Sequence, residues 1–399
     1  MDKMTPISDV VWFQEGPGVR NTQYTTEGVK LLNVANLVDG EVDLSNTNRY
    51  ISEEEAYGKY KHFLVDEGDL IIASSGIKVD YFDKKMGFIK KEHLPLCMNT
   101  STIRFKTLNA DVLDIRYFMY FLKSESFKQQ LAVQITGSAQ LNFGPSHLKK
   151  MSVKMVPMTQ QKKIVHNLSE IDRLISYRQQ QLIKLDELVK SRFIELLGDP
   201  EHNEKQWDVF KLESLCSVGS SKRIYQNELS LDGIPFLRIS DLVNRMDTGS
   251  TDCELYIPEA RYEELNSQGL VPVAGDILLT ARGTLGRCYT ITESDKFYFQ
   301  DGMITWLYDF DKSLTTNYLT YLFAMSGFRK QIDSLQAGST VAYLSISMTK
   351  KLDIMLPPIE LQNQFATFVE QNDKSKLAVQ QSLEKLETLK KALMQKYFG

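Results

Sequence analysis

The residues best placed to do chemistry in this chain are cations and small hydroxyls set beside glycine. One cluster is Thr280-Ala281-Arg282-Gly283-Thr284-Leu285-Gly286-Arg287, directly after an apolar run. Another is Ala73-Ser74-Ser75-Gly76-Ile77-Lys78, with Lys84, Lys85, Lys90 and Lys91 behind it. Hydroxyls, glycine amides and Arg or Lys on one loop suit contacts to phosphate oxygens and to base edges. Arg can grip guanine through two hydrogen bonds, whereas Lys mostly neutralises phosphate. Arg20 and Lys30 precede the first cluster, and Lys222, Arg223 and Arg238 precede the second. A later loop, Gly137–Asn142 in one half and Gly338–Tyr343 in the other, adds Gln140, Asn142 and Tyr343. Taken singly, a Gly loop is commonly just a turn, and a lone Arg or Lys usually faces water. Recurrence at equivalent places singles these loops out.

Catalytic patterns are missing. There is no G-x-x-x-x-G-K-[ST], no G-x-G-x-x-G after a strand and no H-E-x-x-H. The loop at Gly283 lacks a phosphate-loop lysine. His62, His93, His147, His166 and His202 have no metal-ligand spacing, and Cys97, Cys216, Cys253 and Cys288 form no C-x-x-C pair. Neither a zinc site nor a disulfide framework is indicated, which suits a reducing cytoplasm. Acidic pairs such as Glu263-Glu264 have no matching base or nucleophile. The expectation is a recognition module with no catalytic residues, no metal site and no cofactor of its own.

The elements that position these loops come from an internal repeat. Gly68-Asp69-Leu70-Ile71-Ile72-Ala73 matches Gly275-Asp276-Ile277-Leu278-Leu279-Thr280, and Leu32–Leu37 resembles Leu237–Leu242. Lys150, Pro157 and Gln161 match Lys351, Pro358 and Gln362 at an offset of 201 residues. Two copies, each with a core-sized block, indicate a duplicated domain rather than a solenoid. Short apolar runs at Lys30–Val34, Leu70–Ala73, Thr102–Phe105, Pro235–Ile239 and Ile277–Thr280 read as strands. Ile115–Leu131 and Asn317–Leu335 read as aromatic-rich helices. The expected fold is α+β, a mixed architecture of two repeated globular domains, 1–157 and 199–358, each followed by a long helix, 158–198 and 359–399.

Both helices carry an unbroken four-three spacing. In the first it runs Ile164, Leu168, Ile171, Ile175, Arg178, Leu182, Leu185, Val189, Arg192 and Leu196. In the second it runs Phe365, Val369, Asn372, Lys376, Val379, Leu383, Leu386, Lys390, Leu393 and Tyr397. That is a coiled-coil seam. Helix one should stop at Gly198-Asp199-Pro200. About 36 residues at ~1.5 Å each make each helix roughly 54 Å long. Because one helix enters the second domain and the other leaves it, side-by-side packing requires them to run antiparallel, with the polar seam residues setting the register.

The whole sequence has 399 residues, 25% charged and 42% hydrophobic, ordinary values for a soluble globular protein of two to three domains. No apolar stretch approaches a membrane span, and the N-terminus does not read as a signal peptide. The net charge is −4, and residues 201–350 alone hold 14 Lys+Arg against 20 Asp+Glu. If nucleic acid is the ligand, cations must be concentrated on the loops.

With these elements in order, the chain resembles the DNA-specificity (S) subunits of type I restriction–modification enzymes. The resemblance rests on the paired Gly-Asp strands with their Gly loops and on two Pro-x-x-x-Gln helix starts, Pro157–Gln161 and Pro358–Gln362. It also rests on Ser191-Arg192-Phe193-Ile194-Glu195-Leu196-Leu197-Gly198-Asp199-Pro200 and on the C-terminal Leu393–Gly399. Half one departs from the pattern by lacking the Trp-x-x-x-x-Leu opening that half two shows at Trp207–Leu212. The resemblance implies two target recognition domains on double-stranded DNA, each reading one half of a split asymmetric site, with the helices as a ruler. It also implies two methyltransferase (M) subunits docked on the helices and restriction (R) subunits joining them. S-adenosylmethionine, ATP and Mg2+ would then belong to those partners. The competing class is a coiled-coil scaffold or adaptor with two ligand-binding domains and no DNA role.

Overall fold

The computed structural model describes residues 3–77, 79–134, 141–335 and 342–399. Lys78 and Gln140, both contact candidates, lie outside the described residues. Two compact units emerge, Met1–Gln179 with Gln381–Gly399, and Gln180–Gln380. Each unit thus takes half of each long helix, so contacts divide the chain differently from the linear boundaries at 157, 198 and 358. The reason is the antiparallel pairing described below, which returns the C-terminal helix end to the first unit.

The units repeat one sheet plan. In the first, strands Val11–Glu15, Thr102–Thr107, Leu70–Ala73 and Met86–Phe88 form an antiparallel sheet in that order. In the second, Ser217–Gly219, Ile304–Tyr308, Ile277–Thr280 and Cys288–Thr290 do the same. The Gly-Asp strand is central in both and wholly buried, which explains its continuous apolar run. A three-stranded mixed sheet lies in each unit, Leu96–Met98 with Val29–Leu32 and Tyr50–Ile51, and Tyr298–Phe299 with Ile234–Leu237 and Tyr256–Ile257.

Lys3–Pro6 pairs with Ser152–Met155 just as Val209–Lys211 pairs with Asp353–Met355. The buried Ile7 and Leu212 then donate to the carbonyls of Met151 and Leu352. The first domain therefore has the same opening strand as the second. It lacks only a counterpart to Trp207, whose indole N–H donates to Leu197 O at the end of helix one.

Local details shift several expected elements. The strand expected to reach Val34 ends at Leu32, and the one expected to reach Ile239 ends at Leu237. Asn33 starts a short 3-10 turn there and Arg238 a ten-residue helix, Ile239–Thr248, their N–H groups bonded to Asn36 Oδ1 and Asp241 Oδ2 at 2.9 Å. Each aromatic helix is two helices, Ile115–Leu122 and Glu125–Gln134 in one unit, Thr316–Ala324 and Ser326–Ser334 in the other. Ser124 makes the first break by donating to Phe121 O and accepting from Phe127 N. In the second unit, the break falls at Met325, which is extended.

The long helices, Met158–Leu197 and Ile359–Phe398, have 40 residues each, so they measure about 60 Å rather than 54 Å. Gly198, at φ +91°, closes the first in the left-handed conformation that glycine tolerates. In the first unit, Asn167 meets Tyr397 (3.0 Å), Asp172 meets Lys390 (2.7 Å) and Arg178 meets Ser382 (3.2 Å). In the second unit, Asp186 meets Lys376 at 2.6 Å. One number climbs as its partner falls, the signature of antiparallel register.

Seam burial varies along the helices. Ile164, Leu168, Ile171, Phe365, Val369 and Val379 are buried, whereas Ile175, Leu182, Leu185, Leu383, Leu386 and Leu393 are half-buried. The helix stretches with buried positions also enter domain cores. Ile164, Val165, Leu168 and Phe398 join one core, and Val189, Phe193, Leu197, Phe365 and Val369 join the other. Of the half-buried seam residues, Leu393 and Tyr397 pack against the first core and Leu196 against the second. Packing on the partner helix and packing on the domain therefore coexist.

A buried amide fixes each helix start. Gln161 Oε1 accepts from Asp114 N, and its Nε2 donates to Val112 O and Val156 O. Gln362 repeats this with Thr315 N, Ser313 O and Pro357 O, and both glutamines have no exposed surface. Replacing Gln161 by Leu removes three hydrogen bonds, and replacing Gln362 by Leu removes four, since Thr315 Oγ1 also donates to Gln362 Oε1; either change leaves the backbone partners unmet. The expected cost is about 3 kcal/mol, read as a lower urea midpoint at unchanged slope.

The buried Gly-Asp aspartates are satisfied differently. Asp69 lies 3.3 Å from Arg104 Nη1, both nearly inaccessible, whereas Asp276 accepts from Trp306 Nε1 at 2.9 Å. Arg104 and Trp306 stand at equivalent register positions, opposite Ile71 and Leu278. Burial pushes both carboxyls above the ordinary range, against the pull of backbone N–H groups and, for Asp69, of Lys106 and Arg104. Arg104→Met should destabilise the fold by about 3–5 kcal/mol at neutral pH. A carboxyl with a raised folded-state pKa stabilises once protonated, so the deficit should shrink as pH falls through that raised pKa. Thermal melts of both proteins across pH 4–8 provide the check.

Candidate nucleic-acid interface

Each candidate loop grows from the end of its Gly-Asp strand by the same hydrogen bonds. Ser74 N donates to Ser101 O (2.8 Å), and Phe143 N donates to Ser74 O (2.9 Å). In the second unit, Ala281 N donates to Met303 O and Leu344 N to Ala281 O, both at 2.9 Å. Phe143 and Leu344 are buried and anchor the returning strand. The following residues then face each other across a short antiparallel pairing, Ser75 opposite Asn142 and Arg282 opposite Tyr343. Gly76 (φ +74°) and Gly283 (φ +72°) turn the chain in the left-handed conformation, which a side chain would strain. The sheet core thus presents two side chains on each tip.

The tips differ chemically. Arg282, Gly283 and Thr284 are exposed, and the Arg282 guanidinium lies 5.0 Å from the Tyr343 ring centroid. Such a stack is worth about 0.5–1 kcal/mol at an exposed site and limits the rotamers that Arg282 samples. Among the described residues, no carboxylate pairs with Arg282. In the first unit, Ser75 Oγ donates to Ser101 Oγ at 2.6 Å, and the Asn142 side chain is exposed.

Several of the other candidates are held by the fold. Ser74 is 1% exposed, so its hydroxyl does not reach the surface. Arg238 is clamped between Asp241 and Glu254, and Arg223 bonds Asp301 at 2.9 Å. Arg287 pairs with Asp247 at 2.5 Å, and its N–H is taken by Thr280 Oγ1. Lys84 sits 3.4 Å from Asp39, and Lys85 donates to Leu37 O at 2.7 Å. Carboxylates thus claim Arg238, Arg223, Arg287 and Lys84, and a backbone carbonyl holds Lys85. Arg20 and Lys222 are exposed, Lys30 is half-exposed, and none of the three has a carboxylate partner among the described residues.

One feature had no signal in the sequence. Arg245, Arg287 and Arg329 line a single open cleft of about 490 Å3 beside the Gly283 loop, with Thr290 and Thr320. Arg245 is neutralised by the buried Asp295 at 2.6 Å, while Arg329 donates to Leu285 O and has no carboxylate partner among the described residues. The three arginines come from two helices and a loop, too far apart in sequence for spacing to reveal them.

Burial pushes the thiols of Cys97 and Cys216 up to about 12, far from nucleophilic range. Asp199, Glu201 and His202 place ligand atoms within 4.8 Å of one another. These groups bond one another after helix one, Asp199 accepting from Glu201 N and meeting His202 Nδ1, while Glu201 pairs with Lys330.

Comparison with known proteins agrees with this geometry. Residues 19–187 and 204–389 each match the type I restriction modification DNA specificity domain. A putative type I restriction enzyme specificity subunit, S.HindORF215P of Haemophilus influenzae, is 24% identical over 314 residues, covering 71% of this chain and 72% of that protein. The MjaVIII specificity subunit of Methanocaldococcus jannaschii is 22% identical over 351 residues, covering 84% and 79%. The S subunit structure from M. genitalium aligns over 100% of this chain and 96% of that one, at 16% identity and a TM-score of 0.54. A chain from a structure of type I R-M complex assembly and conformational transition aligns over 100% and 97%, at 14% identity and a TM-score of 0.62. Two matched domains spanning most of the sequence place this chain in the type I restriction–modification DNA specificity subunit family.

Proposed function

We propose that the chain reads a split, asymmetric DNA site, one part with each domain, and holds the two readers at a set separation through its long helices. The carrying observation is the pair of matched tips. The same backbone presents different side chains, Ser75 and Asn142 against Arg282 and Tyr343, as two related readers of different sequences require. No geometry here favours the scaffold alternative.

In this reading, the chain contributes recognition and no catalysis. S-adenosylmethionine, ATP and Mg2+ act on methyltransferase and restriction partners, in the cytoplasm; no helix among the described residues is long and apolar enough to cross a membrane. Exposed apolar side chains on the helices give methyltransferase subunits something to bury. They are Leu174, Tyr177 and Leu389 in the first unit, and Ile183, Leu188, Ile194 and Leu377 in the second. Because the chain is acidic overall, those partners supply much of the sequence-independent phosphate grip.

Arg282→Ala tests the reading of the second domain. Reconstituted with its methyltransferase, the variant should lose about tenfold to a hundredfold in affinity for the cognate site and relax at one position of one half-site. Equal loss on random duplex DNA, with the salt dependence reduced by about one phosphate, would make Arg282 a backbone contact instead. A matched insertion of one heptad after Gln179 and after Gln380 tests the ruler. The half-sites should stay as they are while the gap grows by about 3 bp, since seven helical residues span about 10.5 Å. An unchanged gap would refute it.

A further inference from the structure

The two tips are rooted by the same backbone hydrogen bonds but differ in chemistry, and that difference carries an assignment of base identity. Ser74 and Ala281 are both buried and make the same two backbone hydrogen bonds. Gly76 and Gly283 share a positive φ within a few degrees, and a side chain at either would meet nothing within 4 Å. Ser75 therefore stands where Arg282 stands, and Asn142 where Tyr343 stands. In the second unit, the ring of Tyr343 supports the guanidinium, leaving its N–H edge free to project as a planar, two-pronged donor. That shape matches the two acceptors of guanine, O6 and N7, and no other base edge in the major groove offers both. In the first unit, the Ser75 hydroxyl proton is taken by Ser101, so the exposed Asn142 amide is the remaining reader. An amide donates and accepts at once, the complement of adenine N6 and N7.

We propose that the Ser75–Asn142 and Arg282–Tyr343 pairs are the specificity-determining positions, with Asn142 demanding adenine in one half-site and Arg282 demanding guanine at the corresponding place in the other. The proposal rests on the DNA-reading function above and goes beyond it by naming bases and by making the pairs interchangeable.

Transplantation tests this. The full chain, reconstituted with its methyltransferase subunits, is selected against a randomised double-stranded DNA library, and the bound fraction is sequenced. The unaltered protein should select a two-part site with an adenine in one part and a guanine at the matching place in the other. Ser75→Arg with Asn142→Tyr should convert that adenine to guanine, a swing of about tenfold to a hundredfold in base preference, and leave the other part unchanged. Tyr343→Leu, which keeps Arg282, should lose several-fold of the guanine preference without changing the thermal midpoint. If the first double variant fails to fold, the reciprocal Arg282→Ser with Tyr343→Asn decides, its expected result being guanine to adenine. Transplants that fold yet leave both parts unaltered, or full guanine discrimination in Tyr343→Leu, overturn the assignment. An unaltered protein that selects no two-part site overturns the DNA-reading function itself, so the two failures are distinguishable.

Discussion

Everything in this molecule hangs on two buried glutamines. A helix that leaves a globular domain needs a fixed exit angle, or whatever it is meant to space is spaced loosely. Gln161 and Gln362 supply that angle by satisfying one backbone N–H and two carbonyls around each helix start. The bonded carbonyls lie on the loop before the aromatic helix and on the segment before the long helix. Three elements are thereby locked by one neutral side chain, without the desolvation penalty of a buried charge. Tyr117 and Tyr318 reinforce the joint by donating to Lys154 O and Met355 O.

From that joint outward, the two units diverge by position. Residues that make backbone geometry are alike, and residues that meet the carboxyl of the Gly-Asp turn or the surface are not. Arg104 and Trp306 solve the same problem, a buried aspartate, one with an opposite charge and the other with a neutral donor. The charged solution is the more exacting, because loss of Asp69 strands Arg104 in low dielectric, while loss of Arg104 leaves Asp69 with only the more distant Lys106 at 3.4 Å. The same scaffold thus tolerates different chemistry at its core edge as well as at its tips, as a domain must if its surface is to change while its fold does not.

Much of this was legible in the sequence. The heptad spacing gave the helix pair and its direction, because a seam of that length has to be covered and the chain's path leaves only the antiparallel solution. The Gly-Asp repeats gave the central strands because four consecutive buried residues leave no alternation to misread. Helix ends and strand ends were less legible, since Asn33, Arg238 and Ser124 act through capping bonds that any polar residue could have made or missed. The site was partly legible. Arg282 and Asn142 stand out by recurrence, but Arg238 and Arg287 looked equally available. Only the fold brings Glu254 and Asp247 against them. The Arg245–Arg329 cleft was invisible, its walls being distant in sequence.

The charge balance carries the remaining argument. A recognition domain with more acids than bases would repel a polyanion if its charges were spread evenly. Here the carboxylates are used locally. Asp241, Glu254, Asp247, Asp301 and Asp295 each hold an arginine of the second unit, and Arg282, Arg329 and Lys222 are among the described cations that no carboxylate claims. Neutralising those arginines lowers affinity for arbitrary DNA, where only phosphate charge counts. It leaves largely intact the gain from a correctly matched base, which depends on hydrogen-bond geometry. An acidic reader with a few free, stacked or cleft-held arginines is therefore biased toward discrimination at the expense of grip, and it gains by delegating grip to the subunits it assembles with.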